Sequence, residues 1–281
     1  MKVMRSIDEM QTYALRLQAQ GRSVGFVPTM GALHQGHEAL VRRAREENEV
    51  VVVSIFVNPI QFGPKEDFKK YPRTLARDEE LLKEGKVDIL FLPGAQEMYP
   101  EGFSTFIEVP SLTRTLCAPF RPGHFRGVAT VVAKLFEIVR PARAYFGEKD
   151  YQQIRVIGRM IDDLKIPVRL VACPTVREKD GLAVSSRNRY LSRAEREEAV
   201  KLYQALYLGR ELVERKIMQD SKKLAARLTQ VLSTIPRGRV EYISVVDPIT
   251  LDAMTQIRRP ALLAAAIWIG KTRLIDNVII P

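Results

Sequence analysis

The chain has 281 residues, enough for one large domain or two ordinary ones, and its 44 Lys and Arg against 33 Asp and Glu give a formal net charge of +11. Basic and acidic residues interleave along most of the helical patterns, no basic tail is present, and aromatics do not alternate with cations as in a stacking groove; the excess therefore fits a small anionic substrate better than nucleic acid. Two cysteines without ligand-like spacing, Cys117 and Cys173, suggest neither a disulfide framework nor a zinc site and suit a reducing cytoplasm, and no apolar run reaches the ~20 residues of a membrane span.

Ser6-Ile7-Asp8-Glu9 has the form of a capping box, with Ile7, Met10, Ala14 and Leu17 on one helical face and Gly21 as the stop. A strand from Val24 to Val27 follows. The next helical pattern, Glu38 to Glu49, turns Leu40, Val41 and Ala44 inward and Arg42, Arg43 and Glu46 outward. Then come a strand at Val50 to Val57, a polar Pro/Gly loop from Asn58 to Pro72, a helix near Leu75 to Glu84 and a strand at Val87 to Leu92. Val128, Val131, Val132, Leu135 and Val139 mark another helix, followed by a strand at Ala144 to Phe146, a helix from about Asp150 and a strand at Val168 to Ala172. Apolar strands alternating with helices predict a parallel sheet covered on both faces. After the loop Val176 to Tyr190 the pattern changes to two helices, one opened by the capping box Ser192-Arg193-Ala194-Glu195 and one near Ser221 to Ser233, and then three strands, Val240 to Val246, Leu262 to Ile269 and Arg273 to Ile280. The expected organisation is an α/β domain over residues 1–176 and a smaller α+β domain over 177–281.

All three histidines lie in two short Gly-containing stretches. His34 and His37 stand at the junction of the Val24 strand with the next helix, where the first amides lack intrahelical acceptors and the dipole adds roughly half a positive charge. Gly31 and Gly36 would let the backbone approach phosphate oxygens, and the two imidazoles share a helical face. A pair of structural histidines in a strand-to-helix turn is the alternative. Gly147-Glu148-Lys149-Asp150 falls where a strand gives way to a helix, so Lys149 meets a phosphate there or Asp150 simply caps the turn. Lys179 to Asn188 supplies Gly181, two hydroxyls and Arg187, suited to a pyrophosphate leaving group or to a polar linker. Asn58 and Gln61 leave the end of the Val50 strand, their amides able to bind a polyhydroxy acid or cap the loop. Gly270-Lys271-Thr272 is a decoy: Ala265 stands where a phosphate loop needs glycine.

Together, Pro28 to His37, Phe56 to Phe62, Tyr71-Pro72-Arg73, Arg121 to Gly127, Phe146 to Asp150 and Ser185 to Asn188 closely resemble the pantoate–β-alanine ligase family, in the family's order and over the whole chain. The resemblance implies a Rossmann-like parallel-sheet nucleotidyltransferase domain with a smaller C-terminal α+β lid. It also implies condensation of pantoate with β-alanine through a pantoyl-adenylate, consuming ATP with Mg2+ and releasing AMP and diphosphate, in a cytoplasmic homodimer. Residue by residue, it assigns ATP to Met30, Gly31, Ala32, Leu33, His34, Gln35, Gly36 and His37, to Gly147, Glu148, Lys149 and Asp150, and to Val176, Val184, Ser185, Ser186 and Arg187. His37, His34, Lys149 and Arg187 are the implied catalytic groups, and Gln61 and Gln153 the pantoate ligands. Asn58, Tyr71, Arg121 and His124 either line the pocket or order its loops. Mg2+ is implied to ride on the nucleotide, with no dedicated protein ligands.

Overall fold

The structure is a computed structural model describing residues 1–64 and 66–281. Its contacts separate two compact units, one of Met1–Val109, Arg121–Glu148 and Gln153–Pro174, the other of Pro110–Phe120, Lys149–Gln152 and Thr175–Pro281.

The first unit is built on six parallel strands: β1 (Lys2–Met4), β2 (Val24–Thr29), β3 (Val50–Ile55), β4 (Ile89–Phe91), β5 (Arg143–Gly147) and β6 (Arg169–Cys173), in the spatial order β1-β4-β3-β2-β5-β6. Residues 50–53 are all valine and all buried, as a parallel strand covered on both faces requires. Successive side chains point to opposite faces. Val27, Val51, Val53 and Leu90 meet Leu40, Val41 and Ala44 of α2 (Gln35–Glu47) and Leu82 of α3 (Leu75–Glu84). On the other side, α5 (His124–Val139) packs against β2 and against α1 (Ile7–Ala19). A short α4 (Ala95–Met98) follows β4, and α6 (Tyr151–Leu164) joins β5 to β6.

Several boundaries moved for local reasons. The sequence pattern missed β1, whose three residues are too few to show a period and bury only Met4. Ser6 does cap α1 through its side chain, but Glu9, expected to reach back in the box, pairs with Lys2 at 2.8 Å. α5 begins at His124, before its apolar stripe, because Gly123 takes φ +79° and turns the chain in. A single 3-10 turn, Glu148–Asp150, precedes α6.

Chain order and spatial order together locate the ligand side. From β2 the chain steps outward through β3 to β4, then returns to place β5 on the opposite flank of β2. The order in which the chain adds strands therefore reverses between β2 and β5, and in open α/β sheets ligands sit beyond the carboxyl ends of the strands at such a switch point.

The second unit carries an antiparallel sheet of β7 (Gly238–Val246), β8 (Ala261–Ile269) and β9 (Thr272–Ile280), in that order. Leu202, Leu206 and Val213 of α7 (Arg193–Glu214) and Leu224 and Leu228 of α8 (Ser221–Leu232) form one core with Leu263, Ala265 and Ile267. Ser192 and Glu195 complete the reciprocal capping box expected for α7. Arg177 binds Asp276 bidentately at 2.6 and 3.0 Å, reaches the carbonyls of Gly181 and Asn277, and stacks 4.4 Å from the Tyr203 ring, tying residues 177–181 to β9 and α7.

Candidate active site

β2 ends at Thr29, whose hydroxyl donates to the Ser54 carbonyl of β3 at 2.8 Å and accepts from the Gly31 amide at 3.1 Å. Two residues in the left-handed region follow, Gly31 at φ +78° and Ala32 at +52°. A Cβ on Gly31 would stand 2.9 Å from Ile55 Cγ2, so this glycine answers both a positive φ and a close approach. The Ala32 and Leu33 amides then donate to the two oxygens of the Asp78 carboxylate, each at 2.9 Å. The glycine turn was expected to let the backbone approach phosphate; the amides of Gly31, Ala32 and Leu33 are taken by Thr29 and Asp78.

His34 is the N-cap of α2, with extended backbone at φ −154°. Its Nδ1 accepts the Gly36 amide at 3.2 Å, while its carbonyl accepts the amides of His37 and Glu38 at 2.7 and 3.1 Å. An imidazole that accepts at Nδ1 carries its proton on Nε2, which makes Nε2–H the donor edge of this ring. A Cβ on Gly36 would fall 3.0 Å from that ring, so glycine is what allows His34 to fold over its own helix. His37 lies one turn on, its ring centroid 4.1 Å from that of His34 at a tilt of 35°. His37 also borders a cavity of about 340 Å³ floored by Leu33, Val41, Leu81 and Leu82 between α2 and α3.

Beyond β3 the chain turns through a 3-10 segment, Pro59–Gln61, against the start of α5. Asn58 is 1 % exposed; its amide donates to Gln61 Oε1 at 3.0 Å and to the Gly127 carbonyl at 3.1 Å, and its oxygen accepts from the Tyr99 hydroxyl at 2.8 Å. Burial pushes the Tyr99 phenol well above its ordinary pKa and keeps it a donor. Gln61 is thereby held from one side and donates to Met30 Sδ at 3.1 Å on the other. Its carbonyl faces His124 Nδ1 at 2.9 Å, and His124 Nε2 faces Arg121 at 2.9 Å. Since arginine only donates, Nε2 accepts and Nδ1–H donates to Gln61. Arg121 is fixed in turn by a bidentate pair with Glu66 at 2.7 and 2.8 Å. Asn58, Arg121 and His124 therefore order the Gln61 turn. Tyr71, also buried, packs edge-on to Phe62 at 5.9 Å.

β5 delivers Gly147 and Glu148 at the carboxyl edge of the same sheet, and Lys149 and Asp150 continue the 3-10 turn. Within the second unit, the Asn277 amide donates to the Lys149 carbonyl at 3.0 Å; the Lys149 side chain is 19 % exposed, with Nζ 3.9 Å from Asp150. Gln153 is half-buried in the first turn of α6. Its neighbour Gln152 is buried and clamps residues 112–117 through the Cys117 amide and the carbonyls of Leu112 and Thr115. The Val184 amide donates to the Val176 carbonyl at 3.0 Å, closing the loop that presents Ser185 as cap of a 3-10 turn, Ser186–Tyr190, with the Ser185 hydroxyl accepting from the Arg187 amide. Among the described residues no cluster of His, Cys, Asp and Glu could hold a metal ion.

Sequence reasoning missed Asp78, Glu66, Tyr99, Gly127 and Asn277. Asp78 left one trace, a carboxylate at an inward position of α3 beside Leu82; the others act across separations that no periodicity reports.

A family model described as pantoate-β-alanine ligase matches residues 2–279. The chain is 50 % identical to the pantothenate synthetase of Thermotoga petrophila and 51 % to that of Thermosipho africanus, each aligned over the full length of both proteins. Among solved structures it is similar to pantothenate synthetase from Thermus thermophilus, with 48 % identity, TM-score 0.93 and coverage of 100 % and 99 % of the two chains. It is also similar to pantoate-β-alanine ligase from Francisella tularensis, complexed with β-γ ATP and β-alanine, with 36 % identity, TM-score 0.82 and coverage of 99 % and 97 %.

Proposed function

The chain belongs to the pantoate–β-alanine ligase family, and we propose that it makes pantothenate by activating pantoate as an acyl adenylate at the carboxyl ends of β2, β3 and β5. One observation carries this reading: the His34–His37 and Gly147–Asp150 segments leave the two strands that flank the switch point of the sheet, with Gln61 leaving the next strand.

A pantoate carboxylate oxygen attacks the α-phosphorus of ATP and pyrophosphate departs. The β-alanine amine then attacks the adenylate carbonyl, forming the amide as AMP leaves. Both steps gather negative charge on phosphate or acyl oxygen, so positioning and fixed donors suffice and no protein nucleophile is needed. In this proposal His34 donates through Nε2–H to a phosphate oxygen and His37 meets the reacting phosphoryl group. Lys149, Ser185, Ser186 and Arg187 neutralise the triphosphate, while Met30, Gly31, Ala32, Leu33, Gln35 and Gly36 shape the adenosine side with Val176 and Val184. Gln61 and Gln153 hold pantoate. Mg2+ would ride on the triphosphate and supply charge neutralisation there. Ordering residues 177–281 around the nucleotide would act as a lid that keeps water from the adenylate. A homodimer in the cytoplasm belongs to the same proposal.

The test is pyrophosphate release from Mg-ATP and pantoate, with and without β-alanine, while AMP and amide are followed. Pantoate-dependent pyrophosphate, with AMP and pantothenate appearing on β-alanine addition, is expected; turnover with a phosphate ester in place of pantoate would overturn the substrate assignment. His37→Ala and Lys149→Ala should each cost ~10²–10³ in rate in a folded protein.

A further inference from the structure

Gly31 and Ala32 both adopt positive φ, in a turn from which the backbone N–H groups of Ala32 and Leu33 converge on one anion. The anion here is internal. The Asp78 carboxylate, 1 % exposed, takes the Ala32 amide on Oδ2 and the Leu33 amide on Oδ1, each at 2.9 Å, and the Thr74 hydroxyl on Oδ1 at 3.0 Å. Ala32 gains nothing from φ +52° by itself, because its Cβ disfavours that region, so the bidentate acceptor is what holds the turn there. The residue directly after this clamp is His34, whose backbone position fixes where its ring and that of His37 stand.

We propose that Asp78 is a positioning residue for the adenylation step: its charge, delivered from α3, locks residues 31–33 so that the two imidazoles are aimed before nucleotide arrives. This rests on the reading above that His34 and His37 meet the phosphates. An aspartate is required and an asparagine does not substitute, since a carboxamide has one acceptor oxygen for two backbone donors and turns an N–H toward the second.

The experiment is Asp78→Asn, with Thr74→Val as companion. The second variant removes only the hydroxyl bond, and Thr74 makes no side-chain cap to α3. For Asp78→Asn, kcat for pantoate-dependent pyrophosphate release should fall about 10- to 100-fold, because misplacement of a reacting group by about 1 Å costs on this scale. KM for pantoate should stay near wild type, the imidazole resonances of His34 and His37 should shift, and Thr74→Val should keep near-normal kcat. Folded Asp78→Asn with wild-type kcat overturns the proposal, as does a loss that merely tracks the folded fraction. Should Asp78→Asn not fold, wild-type protein titrated with a non-hydrolysable ATP analogue decides: the imidazole resonances move and the Ala32 and Leu33 amides do not, whereas amides that leave the carboxylate for phosphate overturn the clamp. Absence of pyrophosphate from the wild type under pantoate would instead count against the ligase reading, and the amide and imidazole resonances would still test the clamp.

Discussion

Replacing Gly127 with alanine should damage pantoate handling from the far side of the Gln61 turn. Gly127 lies in the first turn of α5, and a Cβ there would stand 2.5 Å from the Ile60 carbonyl oxygen and 2.7 Å from Gln61 N and Cα. Ordinary contact begins near 3.4 Å, so the turn or the helix must give by roughly 0.9 Å. All three neighbours are backbone atoms and cannot rotate aside. Overpacking of this kind costs ~1–3 kcal/mol, and the rigid contacts argue for the upper half of that range. A loss of about 2–3 kcal/mol corresponds to a Tm lower by roughly 4–10 °C. The same displacement stretches the bonds that hold Gln61, namely His124 Nδ1–H to its carbonyl and Asn58 between its side chain and the Gly127 carbonyl. With a shift near 1 Å at Gln61, the proposed pantoate ligand, kcat/KM for pantoate should fall ~10- to 100-fold, while KM for ATP changes little. Steady-state pyrophosphate release over a pantoate series, together with a melting curve, measures both. Wild-type kcat/KM for pantoate in Gly127→Ala would refute the reasoning, because a turn that absorbs such a clash at no cost is not positioning Gln61.

Asp276→Ala should cost about 3 kcal/mol in urea unfolding, since it strands Arg177, whose side chain is 20 % exposed, although the carbonyls of Gly181 and Asn277 soften the loss. An unchanged midpoint would mean the pair contributes no net stability. Burial pushes the Tyr145 phenol up to about 12, with the Asn48 and Glu47 bonds as smaller and opposing influences. Native protein then keeps this proton while unfolded chains lose theirs near pH 10, so stability should fall from about pH 10 to 12, and Tyr145→Phe should flatten that fall in urea midpoints. Burial also raises the Cys173 thiol, so iodoacetamide should label it slowly in native protein at pH 8 and rapidly after unfolding; equal rates would contradict that burial.

The parallel sheet was legible because strands buried on both faces must be apolar throughout: Val50 to Val53 announces β3 without any partner in view. Ser192 and Glu195 announced α7 for an equally local reason, since both halves of a capping box lie within four residues. The His34–His37 segment was legible as a helix opening, but its internal bonding was not. Nothing in Ala32-Leu33 says that its amides belong to a carboxylate 45 and 46 residues away, and Glu66 meets Arg121 across 55. Lys149 stood out as a lone cation after β5, whereas its tether to Asn277 crosses 128 residues. Local rules reach the chemistry-bearing side chains; the groups that fix their aim are non-local pairs.

Histidine at position 34 serves two masters with opposite edges of one ring, accepting the Gly36 amide on Nδ1 and leaving Nε2–H as a donor. Aspartate would close the helix start but carries no donor for the proposed phosphate contact, and lysine or arginine would bring donors but has no lone pair for the amide. A change at this position therefore acts on both at once: the acceptor that closes the start of α2 and the donor that the proposed phosphate contact uses belong to one ring, and a replacement must supply both.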